Sequence, residues 1–311
     1  MARVLYSRLA VIGCGLIGGS VVRAARAAGV VDEIAVAEIN PAYRDRLAEL
    51  DIADLLTGDA REAVSGADLV MLATFPSALE DVAREIGPHL KPGATITDVG
   101  SVKGPVGEAL SAAAPPGVHV IPGHPIAGTE LSGPDAGFAA LFRDRWTILC
   151  PRPSADPGYG EAVSRLTAFW EALGARVEAM DEKHHDQVLA VTSHLPHLIA
   201  YTIVGTAAHL EEVSQGEVMK YSAGGFRDFT RIAASDPTMW RDVFLLNKDA
   251  VLEILGQFTE DLQGMSKAIR WGDGQALEDL FTRTREIRRG VIAAGQESAE
   301  PNFGRDKGRT S

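Results

Sequence analysis

A glycine-rich turn near the N-terminus constrains the fold of this chain more than any other stretch. Residues 8–12 form a short apolar run that favours a β-strand, and Gly13, Gly15 and Gly18 follow it in a G-x-G-x-x-G spacing. An alanine-rich helical stretch then runs to Gly29. In dinucleotide-binding proteins the first glycine makes the turn, the second lets a pyrophosphate approach the backbone, and the third lets helix and strand pack closely. The order of strand, glycine turn and helix therefore predicts a dinucleotide site.

The residues beyond this turn indicate which dinucleotide binds. Leu16 and Ile17 open the helix, whose first amides are expected to face the phosphates. Glu38 follows the next strand pattern, residues 33–37, and lies about 20 residues beyond the turn, where a carboxylate accepts from the ribose hydroxyls and repels a 2′-phosphate. A solvated carboxylate at a strand end is the alternative for Glu38, and Arg44 nearby keeps NADP open. The pattern favours NAD.

Alternating strand and helix patterns continue to residue 179 and predict a doubly wound α/β fold with a parallel sheet. Further strand patterns lie at residues 68–73, 94–98, 118–122, 146–150 and 175–179, with helical patterns at 41–50, 76–87 and 158–173. We expect all of these strands, including the last two, to join one sheet. Residues 1–179 are accordingly predicted to form a Rossmann-type NAD-binding domain.

Polar residues follow two of the predicted strands, at the edge where open α/β sheets bind ligands. Thr74 follows the strand at 68–73, and Ser101 and Lys103 follow the strand at 94–98. We expect Thr74 to contact the cofactor, and Ser101 and Lys103 to lie beside its nicotinamide end. The alternatives are a helix N-cap for Ser101 and a surface lysine for Lys103.

His124 lies in a stretch that is typical of an active-site loop. Pro122 and Pro125 restrict the backbone on either side of it, and Gly123 permits close approach to a ligand. The preceding strand pattern brings His124 to the same edge of the sheet. A loop histidine with a purely structural role is the alternative, and the presence of a cofactor site argues against it.

The chain changes character near residue 180, where helical patterns replace strands. Asp181 is predicted to be the N-cap of a long helix. The apolar faces of the helices in this part exceed what one small domain can bury, which favours a homodimer over a compact helical domain that covers the first one. Residues 180–295 are therefore predicted to be a helical substrate and dimerisation domain. Residues 296–311 are polar and are predicted to be a flexible tail.

Two patches in this helical part could contact a ligand. His194 and His197 lie three residues apart on one helix face. No carboxylate or cysteine lies at the spacing of a zinc site, so we predict that no metal binds there. We interpret the pair as a polar wall that faces a ligand, and we expect His194 to have a structural role. Arg227 and Arg231 follow a glycine break. An arginine binds a carboxylate in a bidentate manner, and Arg231 is favoured for this role because Arg227 suits a surface ion pair.

Composition excludes several classes of partner. The formal net charge of −12 disfavours nucleic acid and anionic membranes, so an anionic substrate needs locally placed cations. We identify no apolar run of about 18 residues and no signal peptide, and the 2 cysteines do not suggest a disulfide framework. These features predict a cytoplasmic protein.

Five motifs in this order resemble the prephenate/arogenate dehydrogenase family of tyrosine biosynthesis. They are the glycine turn at 13–18, Gly-Ser-Val-Lys-Gly at 100–104, Gly-His-Pro-Ile-Ala-Gly-Thr-Glu at 123–130, Ser-His-Leu-Pro-His at 193–197 and Gly-Phe-Arg-Asp-Phe-Thr-Arg at 225–231. Many dehydrogenases share the first motif, whereas the histidine motif and the last two together are specific to this family. The resemblance covers roughly residues 7–290.

The resemblance implies roles for the residues around His124. His124 would accept the proton of the substrate's ring hydroxyl, Ser101 would orient His124 and the nicotinamide, and Lys103 resembles a family lysine near that site. The remaining matches concern substrate binding. Arg231 would hold a substrate carboxylate, and Glu130 would pair with that arginine at the pocket mouth. His197 would lie near the substrate side chain, and Trp240 would line the entrance. An imidazole suits proton acceptance because its pKa of about 6.5 leaves it mostly neutral at working pH.

The implied reaction is the NAD-dependent oxidative decarboxylation of prephenate to 4-hydroxyphenylpyruvate and CO2. Arogenate, which carries an amino group in place of the keto group, is the alternative substrate, and no residue is assigned to that difference. Two other classes stay open. A β-hydroxyacid-type dehydrogenase usually has a catalytic lysine in its helical domain, which the histidine motif at 193–197 argues against, and a non-catalytic NAD-binding sensor would not need an intact His124 motif.

Overall fold

The computed structural model describes residues 3–129, 131–209 and 224–293. The chain divides into two compact units, residues 1–251 and 252–311. The strands are β1 Tyr6–Ile12, β2 Val31–Ala37, β3 Leu55–Thr57, β4 Leu69–Leu72, β5 Thr95–Asp98, β6 His119–Val120, β7 Gly123–Pro125, β8 Trp146–Leu149 and β9 Arg176–Ala179. The helices are α1 Leu16–Ala28, α2 Pro41–Leu50, α3 Ala60–Val64, α4 Pro76–Ile86, α5 Gly104–Ala113, α6 Tyr159–Ala172, α7 Glu182–Leu189, α8 Leu195–His209, α9 Gly224–Thr230, α10 Pro237–Leu246, α11 Lys248–Trp271 and α12 Gly274–Ala293.

The main sheet has six parallel strands in the order β3-β2-β1-β4-β5-β6. This is the strand order of a doubly wound dinucleotide-binding fold. Strands β2 and β3 are added on one side of β1 and strands β4 to β6 on the other, so a crevice opens at the carboxyl ends of β1 and β4. All four residues of β4 are buried, as expected of a parallel strand covered on both faces. The predicted fold class is confirmed, and the short strand β3 and helix α3 are added to it.

The prediction that the strand patterns at 146–150 and 175–179 join this sheet is wrong. They form β8 and β9 of a separate three-stranded sheet, in which β7 pairs antiparallel with β8 and β8 pairs parallel with β9. His124 lies in β7, so the expectation of an irregular loop around it is also corrected. The chain leaves the main sheet after the two-residue strand β6, and the Pro122 carbonyl then accepts a hydrogen bond from the Cys150 amide. Local sequence patterns do not encode this choice of pairing partner.

Two apolar layers cover the main sheet. On one face, α1 and α6 pack against β1, and the aromatic rings of Tyr6 and Phe169 meet edge-on at 5.9 Å between centroids. On the other face, residues of α3, α4 and α5 pack against the same sheet, with Ile86 and Leu110 fully buried. Full burial of such a side chain stabilises the fold by about 1.5–3 kcal/mol. The layers leave the carboxyl ends of the strands as the edge at which ligands can bind.

The helices after residue 180 begin at the predicted cap. The Asp181 carboxylate accepts from the His184 amide at 2.9 Å, α7 follows, and a π-helical turn at Ala190–His194 leads into α8. Pro196 has no N–H to bond to the carbonyl four residues earlier, which accounts for the wider turn before it.

This helical run corrects one expectation from composition. By length and hydropathy, the described segment Glu182–Ala207 could cross a membrane, with a mean hydropathy of 1.4 over its 18-residue window. The run nevertheless carries His185, Asp186 and His194, which are buried inside the protein and hydrogen-bonded there. These contacts hold the first half of the run inside the protein, whereas only 28% of the apolar window is buried and Ile203 and Val204 are exposed.

The second unit is described as far as residue 293. It contains α12 and most of α11, which are joined by a turn at Gly272 with a positive φ of 68°. Large apolar side chains remain exposed on both helices, among them Leu252, Ile269 and Phe281. The predicted domain boundary near residue 180 stays a prediction, and the predicted tail at 296–311 lies outside the described residues, as does Glu130.

Candidate active site

The predicted dinucleotide turn has the geometry that a pyrophosphate needs. Gly13 has a φ of 89°, and a Cβ atom at this position would lie 2.6 Å from the Ala73 carbonyl oxygen, so the turn after β1 lies tightly against the end of β4. A Cβ atom at Gly18 would lie 2.1 Å from the Gly13 carbonyl oxygen, which shows how closely α1 packs on the turn. At Gly15 a Cβ atom would meet nothing within 4 Å among the described residues, so this side of the turn is open for a ligand.

The groups facing this opening fit an anionic cofactor. Leu16 and Ile17 form the first turn of α1, and no side chain caps the amides there, so they can donate to phosphate oxygens. Thr74 follows β4 at the same crevice, and its hydroxyl oxygen is buried without a hydrogen-bond partner among the described residues. A buried hydroxyl normally has a partner, and a bound cofactor would supply one.

Glu38 lies at the carboxyl end of β2 and is 8% exposed. One carboxylate oxygen accepts from the Cys14 amide at 3.0 Å and the other from the Asn40 amide at 3.0 Å. Each oxygen keeps a further lone pair that can accept from a ribose hydroxyl. Arg44 donates to the backbone carbonyls of Glu38 and Ile39 at 2.7 and 2.8 Å. The acid is therefore held in place by the glycine turn itself.

His124 is buried on β7 and makes a side-chain contact that sequence analysis did not anticipate. Its Nδ1 lies 2.9 Å from Nε2 of His185 on α7, and Nδ1 of His185 lies 2.8 Å from a carboxylate oxygen of Asp186. The Nε2 atom of His124 has no hydrogen-bond partner among the described residues, and the side chain keeps 8% exposure. The three residues form a chain of contacts that leaves one nitrogen of His124 for a ligand.

Asp186 is held by several donors besides His185. Its two carboxylate oxygens accept from the amides of Lys103 at 2.8 Å and Gly104 at 2.9 Å, and its backbone carbonyl accepts from the Asn247 amide group at 2.8 Å. Burial alone would raise the pKa of Asp186, but the hydrogen bonds from His185, Gly104 and Lys103 outweigh it and lower the pKa. Asp186 is therefore an ionised acceptor.

Lys103 lies inside the protein rather than on its surface. Its side chain is fully buried, and the ammonium contacts the buried carboxylate of Asp98 and donates to the Gly123 carbonyl at 2.7 Å. Asp98 also accepts from the amides of Gly123 at 3.2 Å and Gly100 at 2.8 Å. These contacts join the end of β5 to β7, the strand that carries His124. The role of Lys103 in substrate binding stays a prediction.

The electrostatic surroundings keep His124 neutral. Burial, together with the neighbouring His185, Lys103 and His194 groups, lowers the pKa of His124 well below 6.5. Burial also lowers the pKa of His185, although Asp186 acts in the opposite direction. A neutral imidazole has a lone pair with which to accept a proton, so His124 is in the form that a general base requires.

His194 is linked through Asn247 to the backbone carbonyl of Asp186, and its predicted structural role stays a prediction. It is fully buried, its Nδ1 accepts from the Asn247 amide group at 3.1 Å, and burial lowers its pKa to about 4. The Ser101 backbone adjoins the same ring and raises that pKa against the larger effect of burial. The Nδ1 contact of His124 goes to His185, and the predicted role of Ser101 in orienting His124 stays a prediction.

Two of the predicted substrate residues of the helical part, His197 and Trp240, lie together. The rings of His197 and Trp240 stack at 3.6 Å between centroids, and His197 Nδ1 lies 2.9 Å from the Ser193 carbonyl. Burial lowers the pKa of His197, and the positive charge of Arg231 acts in the same direction. Trp240 also packs in one apolar cluster with Val102, next to Ser101. The stacked rings of His197 and Trp240 form a wall, and the charge of Arg231 acts on one of them.

Sequence analysis missed four buried polar residues that organise the site: Asp98, His185, Asp186 and Asn247. Asp98 carries a usable signal, because a charged residue at the end of an apolar parallel strand needs a buried partner. His185 lies on the apolar stripe of its helix, where a structural role is the ordinary interpretation. Asp186 and Asn247 acquire their roles only through contacts distant in sequence.

The nucleotide cradle beside a neutral, buried imidazole defines an NAD-dependent dehydrogenase. A family model described as "Prephenate dehydrogenase, nucleotide-binding domain" matches residues 21–179, and one described as "Prephenate dehydrogenase, dimerization domain" matches residues 181–283. The chain belongs to the prephenate dehydrogenase family.

Individual relatives agree with the family models. The chain is 40% identical over 284 residues to the cyclohexadienyl dehydrogenase of Zymomonas mobilis, a match that covers 91% of this chain and 96% of that protein. It is 31% identical over 300 residues to the prephenate dehydrogenase of Bacillus subtilis, covering 94% and 77%. The solved structure of prephenate dehydrogenase from A. aeolicus in complex with hydroxyphenyl propionate and NAD+ has 34% identity and a TM-score of 0.81, covering 92% of this chain and 98% of that one.

Proposed function

We propose that this protein catalyses the NAD-dependent oxidative decarboxylation of prephenate to 4-hydroxyphenylpyruvate and CO2. The observation that carries the proposal is His124, a buried imidazole held neutral, with one ring nitrogen bonded to His185 and the other without a partner among the described residues. Family membership supplies the substrate class, and the A. aeolicus relative was solved with NAD+ and hydroxyphenyl propionate, a compound with the ring of the product.

The chemistry requires one base beside the cofactor. NAD, when bound, accepts the hydride from the ring carbon that bears the hydroxyl group. His124 takes the hydroxyl proton as that C–H bond breaks, so the oxygen becomes a carbonyl. The ring carboxylate then leaves as CO2, and its bonding electrons complete the aromatic ring and return negative charge to the oxygen. The protonated His124 can give the proton back to that oxygen, so the residue ends the cycle neutral.

The wall of His197 and Trp240, together with Arg231, suits the other end of the substrate. Arg231 supplies a guanidinium, which binds a carboxylate through two parallel hydrogen bonds. His197 places one nitrogen on the Ser193 carbonyl and therefore donates there, which leaves its other nitrogen as an acceptor. The formal net charge of the chain is −12, so a dianionic substrate depends on such locally placed cations.

Arogenate is the second candidate substrate. A specific observation favours it, because the relative with 40% identity is named a cyclohexadienyl dehydrogenase, a broader description than prephenate dehydrogenase. Both substrates present the same ring to His124, and they differ only in the keto or amino group of the side chain.

Steady-state assays with both substrates test the proposal. We expect NADH formation with prephenate, and a higher kcat/KM for prephenate than for arogenate. His124→Asn is expected to retain NAD binding and to lower kcat by roughly 10²–10⁴-fold, the usual contribution of a general base. His184→Asn is the matched control, because His184 is an exposed neighbour of the buried His185. If the protein were active only with arogenate, arogenate would take the place of prephenate as the proposed substrate. A near-normal kcat in His124→Asn would contradict the assignment of His124 as the base.

The protein is a homodimer in this proposal. The segment matched by the model of a dimerization domain exposes large apolar side chains, including Leu245 at 65%, Leu252 at 63% and Ile269 at 67%. Exposed apolar side chains on this scale are typical of a surface that a partner covers. Light scattering at micromolar concentration is expected to give twice the chain mass of 33.0 kDa, and a fully active monomer would contradict the proposal. The free, buried thiols of Cys14 and Cys150 suit the cytoplasm.

A further inference from the structure

The contacts of Asp186 determine how the proton of His185 is placed. An ionised carboxylate can only accept, and Asp186 is held in that form by the amides of Lys103 and Gly104. The contact of 2.8 Å from Asp186 to Nδ1 of His185 therefore needs a proton on Nδ1. A neutral imidazole carries one proton, so Nε2 of His185 is left as an acceptor.

The same reasoning extends to His124. Its Nδ1 lies 2.9 Å from Nε2 of His185, and a hydrogen bond between two ring nitrogens requires one donor. Because Nε2 of His185 is an acceptor, Nδ1 of His124 must carry the proton. We infer that Asp186 and His185 are positioning residues that fix His124 in the tautomer whose Nε2 is unprotonated and open to the substrate hydroxyl.

This inference rests on the proposed function only for its catalytic consequence. With the proton on Nδ1, the single free lone pair of His124 lies on the nitrogen that has no partner among the described residues. When Nε2 takes a proton, Nδ1 goes on donating to His185, and the carboxylate of Asp186 lies behind it. In the opposite tautomer, Nε2 would be a donor and could not remove a proton. In a serine-protease triad, loss of the carboxylate that sets the tautomer lowers kcat about 10⁴-fold.

The groups around this chain of contacts are compatible with it. Lys103 adjoins both rings and disfavours a second proton on either of them, and its own charge is paired with Asp98. His194 also faces the site, and its proton lies on Nε2 because Nδ1 accepts from the Asn247 amide group. The neutral rings are thus ordered by the carboxylate of Asp186 and the amide group of Asn247.

Nitrogen NMR of the histidine side chains observes the tautomer directly. The full-length wild-type protein, labelled with ¹⁵N only in histidine, is measured near neutral pH without substrate, and the His124 signals are identified by their loss in His124→Asn. We expect Nδ1 of His124 as a protonated nitrogen and Nε2 as an unprotonated one. A proton on Nε2 of His124 would overturn the inference. Because the measurement needs no turnover, an inactive prephenate assay with the expected tautomer would fault the proposed reaction alone.

Kinetics of His185→Phe test the consequence. Phenylalanine keeps an aromatic ring but removes the acceptor, so we expect kcat to fall about 10²-fold, within the range for general-base catalysis, while the KM for NAD stays close to that of the wild type. In its NMR spectrum, the Nε2–H form of His124 is expected to gain population. His184→Phe, at the exposed neighbouring position, is the matched control and is expected to leave both readouts unchanged.

Asp186→Asn provides a second variant. An amide group cannot accept all three hydrogen bonds that the carboxylate accepts, so kcat is expected to fall in the same direction, with circular dichroism as the check on folding. If Asp186→Asn does not fold, His185→Phe and the wild-type spectrum still decide. A folded His185→Phe protein with kcat close to that of the wild type would overturn the positioning role.

Discussion

Replacing Lys103 by methionine removes one partner of the most deeply buried ion pair described in the structure. Both side chains of the Lys103–Asp98 pair are 0% exposed. Methionine fills a similar volume, but it leaves the Asp98 carboxylate with only the amides of Gly100 and Gly123. Removing one partner of a buried pair destabilises a protein by about 3–5 kcal/mol, because the remaining charge is uncompensated.

Urea unfolding at a fixed protein concentration measures this effect. A loss of about 3–5 kcal/mol corresponds to a midpoint lower by about 1–2 M, if the slope is about 3 kcal/mol per M. Lys91→Met is the matched control, because Lys91 pairs with Asp68 at 2.5 Å while its side chain is 41% exposed. Such a partly exposed pair contributes about 0–1 kcal/mol. If Lys103→Met lost no more than Lys91→Met, the buried pair would not stabilise the junction between β5 and β7.

Three further predictions concern the substrate, the cofactor and pH. Arg231→Ala is expected to raise the KM for prephenate with a smaller effect on kcat. Arg227→Ala, at a position whose side chain is 77% exposed, is the control and is expected to change neither constant. If Arg231→Ala lost as much kcat as His124→Asn, the role of Arg231 as a carboxylate clamp would be contradicted. NAD is expected to give a higher kcat/KM than NADP because the Glu38 carboxylate would repel a 2′-phosphate; equal use would contradict this and point to Arg44. The last prediction concerns pH. The folded state lowers the pKa values of four histidines, His124, His185, His194 and His197, so below pH 6.5 the unfolded chain binds more protons than the folded one. Differential scanning calorimetry is therefore expected to show a Tm that falls as the pH drops below 6.5, and a Tm unchanged from pH 7 to pH 5 would refute this.

The local features of the nucleotide site were predictable from the sequence. Gly13 requires a left-handed backbone, and Gly18 leaves no room for a side chain against the turn, so both requirements are visible in a short stretch of residues. Glu38 follows from its place at a strand end, and the Asp181 cap from its place before a helical pattern. These properties depend on neighbours in sequence, which is why periodicity and turn chemistry identify them.

The pairing of strands and the surroundings of His124 were decided by the tertiary structure. Residues 146–150 favour a strand in any sheet, and only the departure of the chain from the main sheet after β6 makes them pair with β7. Lys103 has the sequence context of a surface lysine, and it is buried because Asp98 and the Gly123 carbonyl meet it there.

The residues that act through His124 show the same division. The sequence predicted an imidazole just after the strand pattern at 118–122, and the structure places it on β7, the first strand of the separate sheet. Which ring nitrogen is available was decided by His185, which is 61 residues away along the chain, and by Asp186 beside it. Hydrogen-bond direction depends on the full set of donors and acceptors around a ring, and such a set exists only after distant segments have packed together.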